Sequence, residues 1–190
     1  MKTVKLNSFK AFCKLLLIGI LSSGCAQSNH SPKDKAAIAA PSMDIHTAVL
    51  SGDLEVVKQH IAAGTDINEK EPFNASTPLI SAAVFGKTEI VKTLLDAGAD
   101  MSLKNNDGST ALHTAAFFCR VEIVQLLIDA EADKTLVNNY GATPREIVVG
   151  PFSEVKPIYE MLQQQLAPLG LQLDMDELEK TRPTIAMMLQ

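Results

Sequence analysis

The residues best suited to catalysis or metal binding in this 190-residue chain are four histidines, three cysteines and one acidic cluster. His30, His46, His60 and His113 are far apart and make no zinc-type spacing with Cys13, Cys25 or Cys119. There is no glycine-rich phosphate loop and no nucleophile elbow. Cys119 follows His113 by six positions, and a thiol beside an imidazole can make a nucleophile. Six positions along one helix, however, place the two on different faces. Asp174, Asp176, Glu177 and Glu179 offer oxygen ligands but lack the 12-residue loop of a calcium hand, and they read as a solvated acidic tail. The chemistry-bearing residues therefore predict no catalytic centre, no metal and no cofactor.

Composition narrows the classes further. Apolar residues are 46% of the chain, too many for a disordered protein. Three cysteines cannot staple a disulfide scaffold. The net charge of −5 hides an uneven distribution. Lys2, Lys5, Lys10 and Lys14 fall in the first 14 residues with no acid among them. From Cys25 onward 13 basic residues face 22 acidic ones, a net of −9, which argues against nucleic acid and anionic lipid surfaces.

That basic start is followed by the apolar run Leu15 to Leu21 and then by Ser22, Ser23, Gly24 and Cys25. A basic region, a short apolar region and small residues make a secretory signal peptide over residues 1–24. The apolar run is far short of the roughly 20 residues that span a bilayer. Leu21-Ser22-Ser23-Gly24-Cys25 resembles the lipobox of bacterial lipoproteins, with its leucine one position early. The resemblance implies cleavage before Cys25, acylation of its thiol and placement in the bacterial envelope, with Ala26 resembling lipoproteins sent to the outer membrane. Ordinary cleavage after Gly24 or Ala26 is the alternative, and it leaves a soluble periplasmic protein. Residues 25–43, rich in Ser, Ala and Pro, read as a tether.

The rest of the chain is organised by a repeat. Thr77, Thr110 and Thr143 are each 33 apart, Ala82-Ala83 recurs as Ala115-Ala116, and Glu89-Ile90-Val91 recurs as Glu122-Ile123-Val124. One unit upstream the spacing is 34, matching Gly52, Glu55 and Gly64 to Gly86, Glu89 and Gly98. Each unit predicts two short helices and a turn. Thr77 supplies an N-cap, Pro78 suits the first helical position, and Ala82 and Ala83 keep the first helix thin. Ile90, Val91, Leu94 and Leu95 give the second helix its apolar face. Cys119 and Glu131 stand where the preceding unit has Gly86 and Gly98, so each is expected in a left-handed conformation.

TPLISAAVFGKTEIVKTLLDAGAD (77–100) and TALHTAAFFCRVEIVQLLIDAEAD (110–133) resemble ankyrin repeats, and residues 45–68 resemble a first, capping one. The resemblance implies an all-α solenoid of stacked helix–turn–helix units over 44–150, divided 44–75, 76–107, 108–140 and a partial unit 141–150. It also implies that His113 bonds within and between turns. His60 falls where later units carry leucine and is expected on the outer face of the first repeat. Residues 151–190 are expected to form a helical cap. Within it, 153–166 is read as the fourth unit's second helix, and a short helix from Asp174 to Lys180 as extra cover.

In ankyrin repeats the partner-facing positions are the turn tips and two sites late in the first helix. Carried over, they are Lys70, Phe73, Asn74 and Ser76; Val84 and Phe85; Lys104, Asn106, Asp107 and Ser109; Phe117 and Phe118; and Val137, Asn139, Tyr140 and Ala142. Five of the seven aromatics after Cys25 lie in this set, as interface anchors would. The expected function is non-enzymatic binding of a folded periplasmic protein by a monomer, inhibiting or protecting it. The alternatives are an envelope scaffold without inhibitory activity and a thiol-dependent factor using Cys119.

Overall fold

The computed structural model describes residues 39–190. The signal segment, the lipidation site Cys25 and most of the tether lie outside the described residues. Three helix pairs come first: α1 (Ile45–Ser51) with α2 (Leu54–Ala62), α3 (Pro78–Val84) with α4 (Thr88–Asp96), and α5 (Ala111–Phe117) with α6 (Val121–Asp129). Then follow α7 (Glu146–Val149), α8 (Phe152–Leu166), a 3-10 turn (Ala167–Leu169) and α9 (Met175–Met188).

Local sequence sets the helix starts. Asp44 and Asp53 cap α1 and α2 by accepting from the amides of Thr47 and Val56. The Thr77 hydroxyl accepts from the Ile80 amide at 3.3 Å, and Pro78 opens α3 where no intrahelical donor is lost. Thr110 and His113 form a reciprocal capping box on α5. The first helices of successive pairs, α1, α3, α5 and α7, pack side by side in one layer, and α2, α4, α6 and α9 form the second. Ala48, Ala82, Ala83, Ala115 and Ala116 are fully buried in the first layer. The second layer closes on them with Val57, Val91, Leu94, Val124 and Leu127, also fully buried.

The fourth unit differs from expectation. Helix α7 is a single turn capped by Thr143, whose hydroxyl accepts from the Glu146 amide at 3.3 Å. Its second-layer companion is α9, not the 153–166 helix. Ile185 of α9 and Leu189, which caps its end, join the common core, whereas no residue of α8 does. The 33-residue period would start that helix near residue 154, so α8 and the following turn are an insertion within the fourth unit. The acidic cluster is the start of α9, not a tail. The Asp174 carboxylate accepts from the amides of Asp176 and Glu177, and the two acids in the first turn complement the helix dipole.

His60 is also placed differently. It is 4% exposed rather than on an outer face, because residues before α1 fold back over it. Its Nε2–H donates to the Met43 carbonyl at 2.7 Å, and Nδ1 lies 3.0 Å from the Thr65 hydroxyl.

Cys119 (φ +52°) and Glu131 (φ +63°) are left-handed, as their glycine counterparts predict. Ala75 (φ +52°) is a third case, standing where later units have Gly108 and Gly141. A non-glycine residue costs roughly 1 kcal/mol there. Glu131→Gly should therefore raise Tm by about 2–4 °C, since its side chain is exposed and its counterpart Gly98 has nothing within reach of a Cβ. Thermal denaturation followed by circular dichroism checks this, and an unchanged or lower Tm contradicts it. Cys119→Gly should gain less, because that side chain packs against the core.

Candidate partner-binding face

Each turn between pairs is built on one side-chain acceptor. In the first, the Glu71 carboxylate accepts from the amides of Phe73, Asn74 and Ser76 at 2.6, 2.8 and 3.0 Å. In the second, Asn105 Oδ1 accepts from Asp107 and Ser109, and in the third Asn138 Oδ1 accepts from Tyr140 and Ala142. An acid or amide folded onto amides two to five residues later fixes each tip without a long hairpin.

The tips are then stitched together. The Asn106 amide donates to the Asn74 carbonyl, and the Asn139 amide to that of Asp107. Asn106 Nδ2 donates to the Phe73 carbonyl and Asn139 Nδ2 to the Asn106 carbonyl, at 3.2 and 2.9 Å. Lys70 Nζ donates to the Lys104 carbonyl at 2.6 Å, and Lys104 Nζ to the Val137 carbonyl at 2.9 Å. Gly108 is required in this ladder, because a Cβ there would collide with the side chain and backbone of Asn139. Lys70, Lys104, Asn106 and Asn139 thus hold adjacent turns while standing on the face assigned to a partner. Phe73 occupies the position of Asn106 and Asn139 one unit earlier. It is 69% exposed, the most exposed large apolar side chain among the described residues.

The other expected site residues divide. Asn74, Val84, Phe85, Asp107, Ser109 and Tyr140 are half-buried, and Val137 is exposed. Ser76, Phe118 and Ala142 are at most 7% exposed, so they present no surface to a partner. Phe118 packs edge-on against Phe117 with centroids 5.1 Å apart. Phe117 is itself covered: Tyr159 of α8 stacks on its ring at 4.6 Å and donates a 2.6 Å hydrogen bond to its carbonyl. What remains open is the turn row together with Val84 and Phe85.

Sequence reasoning did not anticipate Tyr159 or Arg182. Tyr159 is fully buried, and Arg182, 3% exposed, donates to its hydroxyl at 3.2 Å and to the carbonyls of Ile147 and Gly150. A tyrosine among the apolar residues of an amphipathic stretch was the only available signal.

Electrostatics follow burial. Asp107 bonds the Tyr140 hydroxyl, yet burial pushes its carboxyl up to about 6, and burial with the Asp107 charge pushes Tyr140 to about 12. Burial pushes the Cys119 thiol up to about 11, so it is protonated at neutral pH. His113 is fully buried, with Nε2–H donating to the Ala142 carbonyl at 3.1 Å and Nδ1 2.8 Å from the Thr110 hydroxyl. It ties α5 to the third turn as the neutral tautomer, and burial lowers its pKa to about 4. The folded protein thus binds this proton less readily than the unfolded chain does. The neutral imidazole's contribution is present above about pH 6.5 and is lost as pH falls toward 4, about 3 kcal/mol in all. Asp107 is shifted upward and gives the opposite slope, so His113→Gln must be compared with the parent chain. The difference in their unfolding free energies should shrink between pH 7 and pH 4.5, and a difference independent of pH contradicts a buried neutral His113.

Among the described residues no three His, Cys, Asp or Glu side chains gather into a metal site, and no helix is long and apolar enough to cross a membrane. The family description for ankyrin repeats matches residues 45–138 in three copies. Protein phosphatase 1 regulatory subunit 27 of Mus musculus is 41% identical over 64 residues, 34% of this chain and 41% of that protein. DNA-binding protein RFXANK of Homo sapiens is 39% identical over 59 residues, 31% of this chain and 23% of that one. Dauer abnormal formation protein 25 of Caenorhabditis elegans is 36% identical over 78 residues, 40% of this chain and 20% of that one. The chain therefore spans less than half the length of each of these relatives.

Proposed function

We infer that this chain, an ankyrin-repeat solenoid through residues 45–138, is a non-catalytic module that binds a folded protein through its turn row and the C-terminal ends of its first-layer helices. The observation that carries this is Phe73. A large apolar side chain 69% exposed at the tip of a hydrogen-bonded turn offers an anchor on backbone that folding has already ordered. Val84 and Phe85, half-buried where α3 ends, are the other apolar positions of the set, and Lys70, Lys104, Asn106 and Asn139 line the turn row. The regulatory-subunit name carried by one relative is in keeping with such a role. A thiol protonated at neutral pH and a histidine with both ring nitrogens engaged argue against the Cys119 alternative.

We further propose that the module works in the bacterial envelope, exported by its first 24 residues and held by lipid on Cys25. There it would inhibit or protect a periplasmic protein by covering its functional surface. The support is the basic–apolar–small–Cys order at the start of the sequence, together with the strongly acidic remainder. An envelope scaffold is the second reading, and assay of the captured partner's own activity, with and without this chain, separates the two.

The face is tested by capture from envelope extract with the wild-type chain and with Phe73→Ala/Phe85→Ala. The double variant should keep its Tm within a few degrees and lose partner affinity at least tenfold. Equal capture by the folded variant contradicts the assigned face. For the anchor, labelled fatty acid should be incorporated by the wild type and not by Cys25→Ala. Equal labelling, or none in either, contradicts lipidation at Cys25.

A further inference from the structure

Helix α8 is held to the solenoid differently from every other helix. Its one fully buried residue is Tyr159, and Val155, Ile158, Met161, Leu162 and Leu166 along the same helix are only half-buried. None of them belongs to the continuous core that joins α7 and α9 to the repeats. Pro157 removes a hydrogen bond from its interior, as Pro183 does in α9, and no side chain caps its start, as in α4 and α6, so the difference lies in its missing share of the core. The chain enters it through Gly150 and leaves through Gly170, whose φ is +92°. Its side-chain hydrogen bonds are made by Gln163, whose Oε1 accepts from the Leu173 amide at 2.7 Å, and by Tyr159, which alone ties it to the repeats. Tyr159 lies between Phe117 and Phe152, donates to the Phe117 carbonyl, and receives from the Arg182 guanidinium. Arg182 is fixed independently by the carbonyls of Ile147 and Gly150.

What α8 covers is specific. Phe117 is the third unit's counterpart of Val84, one of the positions that the ankyrin resemblance assigns to a partner. We propose that α8 is a displaceable strap, an occupant of the third repeat's share of the binding face supplied by the chain itself, which a partner must lift to reach Phe117. This rests on the protein-binding reading above and adds an autoinhibitory contact to it. Opening α8 needs no disruption of the common core, because α7 and α9 contact the repeats directly. Local opening with retention of the fold is what such a partition of contacts permits.

Two measurements on the full chain decide it, both resolved by peptide mass spectrometry. In the wild type, amide hydrogen exchange across Phe152–Leu166 should be at least tenfold faster than across Ala111–Phe117 and Met175–Met188. Equal protection in all three would show that α8 opens only with global unfolding, and would overturn the proposal. Cys119 Sγ lies 3.7 Å from the Leu178 carbonyl of α9, so its cover does not come from α8 and hydrogen exchange is the readout in the variants as well. Tyr159→Ala should speed exchange across Phe152–Leu166 at least a further tenfold, while exchange across Ala111–Phe117 and melting of the repeat helices stay as in the wild type. Tyr159→Phe, which keeps the stack and loses both hydrogen bonds, should give an intermediate rate. Unchanged exchange across Phe152–Leu166 in folded Tyr159→Ala, or failure of that variant to fold, means that α8 is an integral part of the domain. Neither measurement involves a partner, so a strap that opens while Phe73→Ala/Phe85→Ala still binds would sink the face and leave the strap standing.

Discussion

Everything in this molecule depends on the fact that no unit can bury its own apolar face. A seven-residue helix such as α3 or α5 is too short to persist alone, and its alanine side carries almost no bulk. Stability comes when the alanines of one unit meet the next at close backbone distance and the second layer closes over both. Ala82, Ala83, Ala115 and Ala116 are fully buried because neighbouring first-layer helices approach that closely. The same approach brings successive turns within hydrogen-bonding reach, which makes the ladder of Asn106, Asn139, Lys70 and Lys104 possible. A rigid row of turn tips is thus a by-product of core packing, and a partner meets a surface whose ordering cost has already been met by folding.

A stack must also end. At the entry, residues before α1 fold back and His60 fastens them. Inside the stack, the carbonyl at the end of a first-layer helix receives a donor from the next unit: Val84 accepts from Arg120 at 3.1 Å. At the third unit no following loop supplies an equivalent donor, and the insertion brings Tyr159 to the Phe117 carbonyl instead. The requirement for orphan carbonyls to find donors at a helix end accounts for the contact. It does not by itself require fifteen residues of helix, and the surplus helix is what gives α8 a role beyond capping.

The repeated units were legible because their pattern is dense: threonine caps, paired alanines and the Glu-Ile-Val triplet all keep one period. The left-handed backbone at Cys119 and Glu131 followed by substitution from glycine counterparts. Ala75 obeys the same logic, but Gly108 and Gly141 sit inside turns, where glycine has several uses, so the correspondence carried less information. The fourth unit was misread because α8 has helical spacing and arrives close to the expected place. Only tertiary contact distinguishes it from α9, whose Ile185 enters the shared core together with the capping Leu189. His60 was misplaced for a similar reason: its burial depends on where the preceding segment folds, which no local pattern encodes. Of the candidate face, the tips were legible as positions, but not the side chains that stitch them. Phe118, Ser76 and Ala142 point inward through the local geometry of helix and turn.

We propose recognition on the turn row and at Val84 and Phe85. Its most direct test is chemical-shift mapping of the isotope-labelled chain titrated with its captured partner. Perturbation and line broadening are expected at Phe73, Phe85, Lys104, Asn106, Asn139 and Tyr140, with little change along α2, α4 and α6. Perturbations confined to the outward faces of α2, α4 and α6, with the turn tips unmoved, would contradict it.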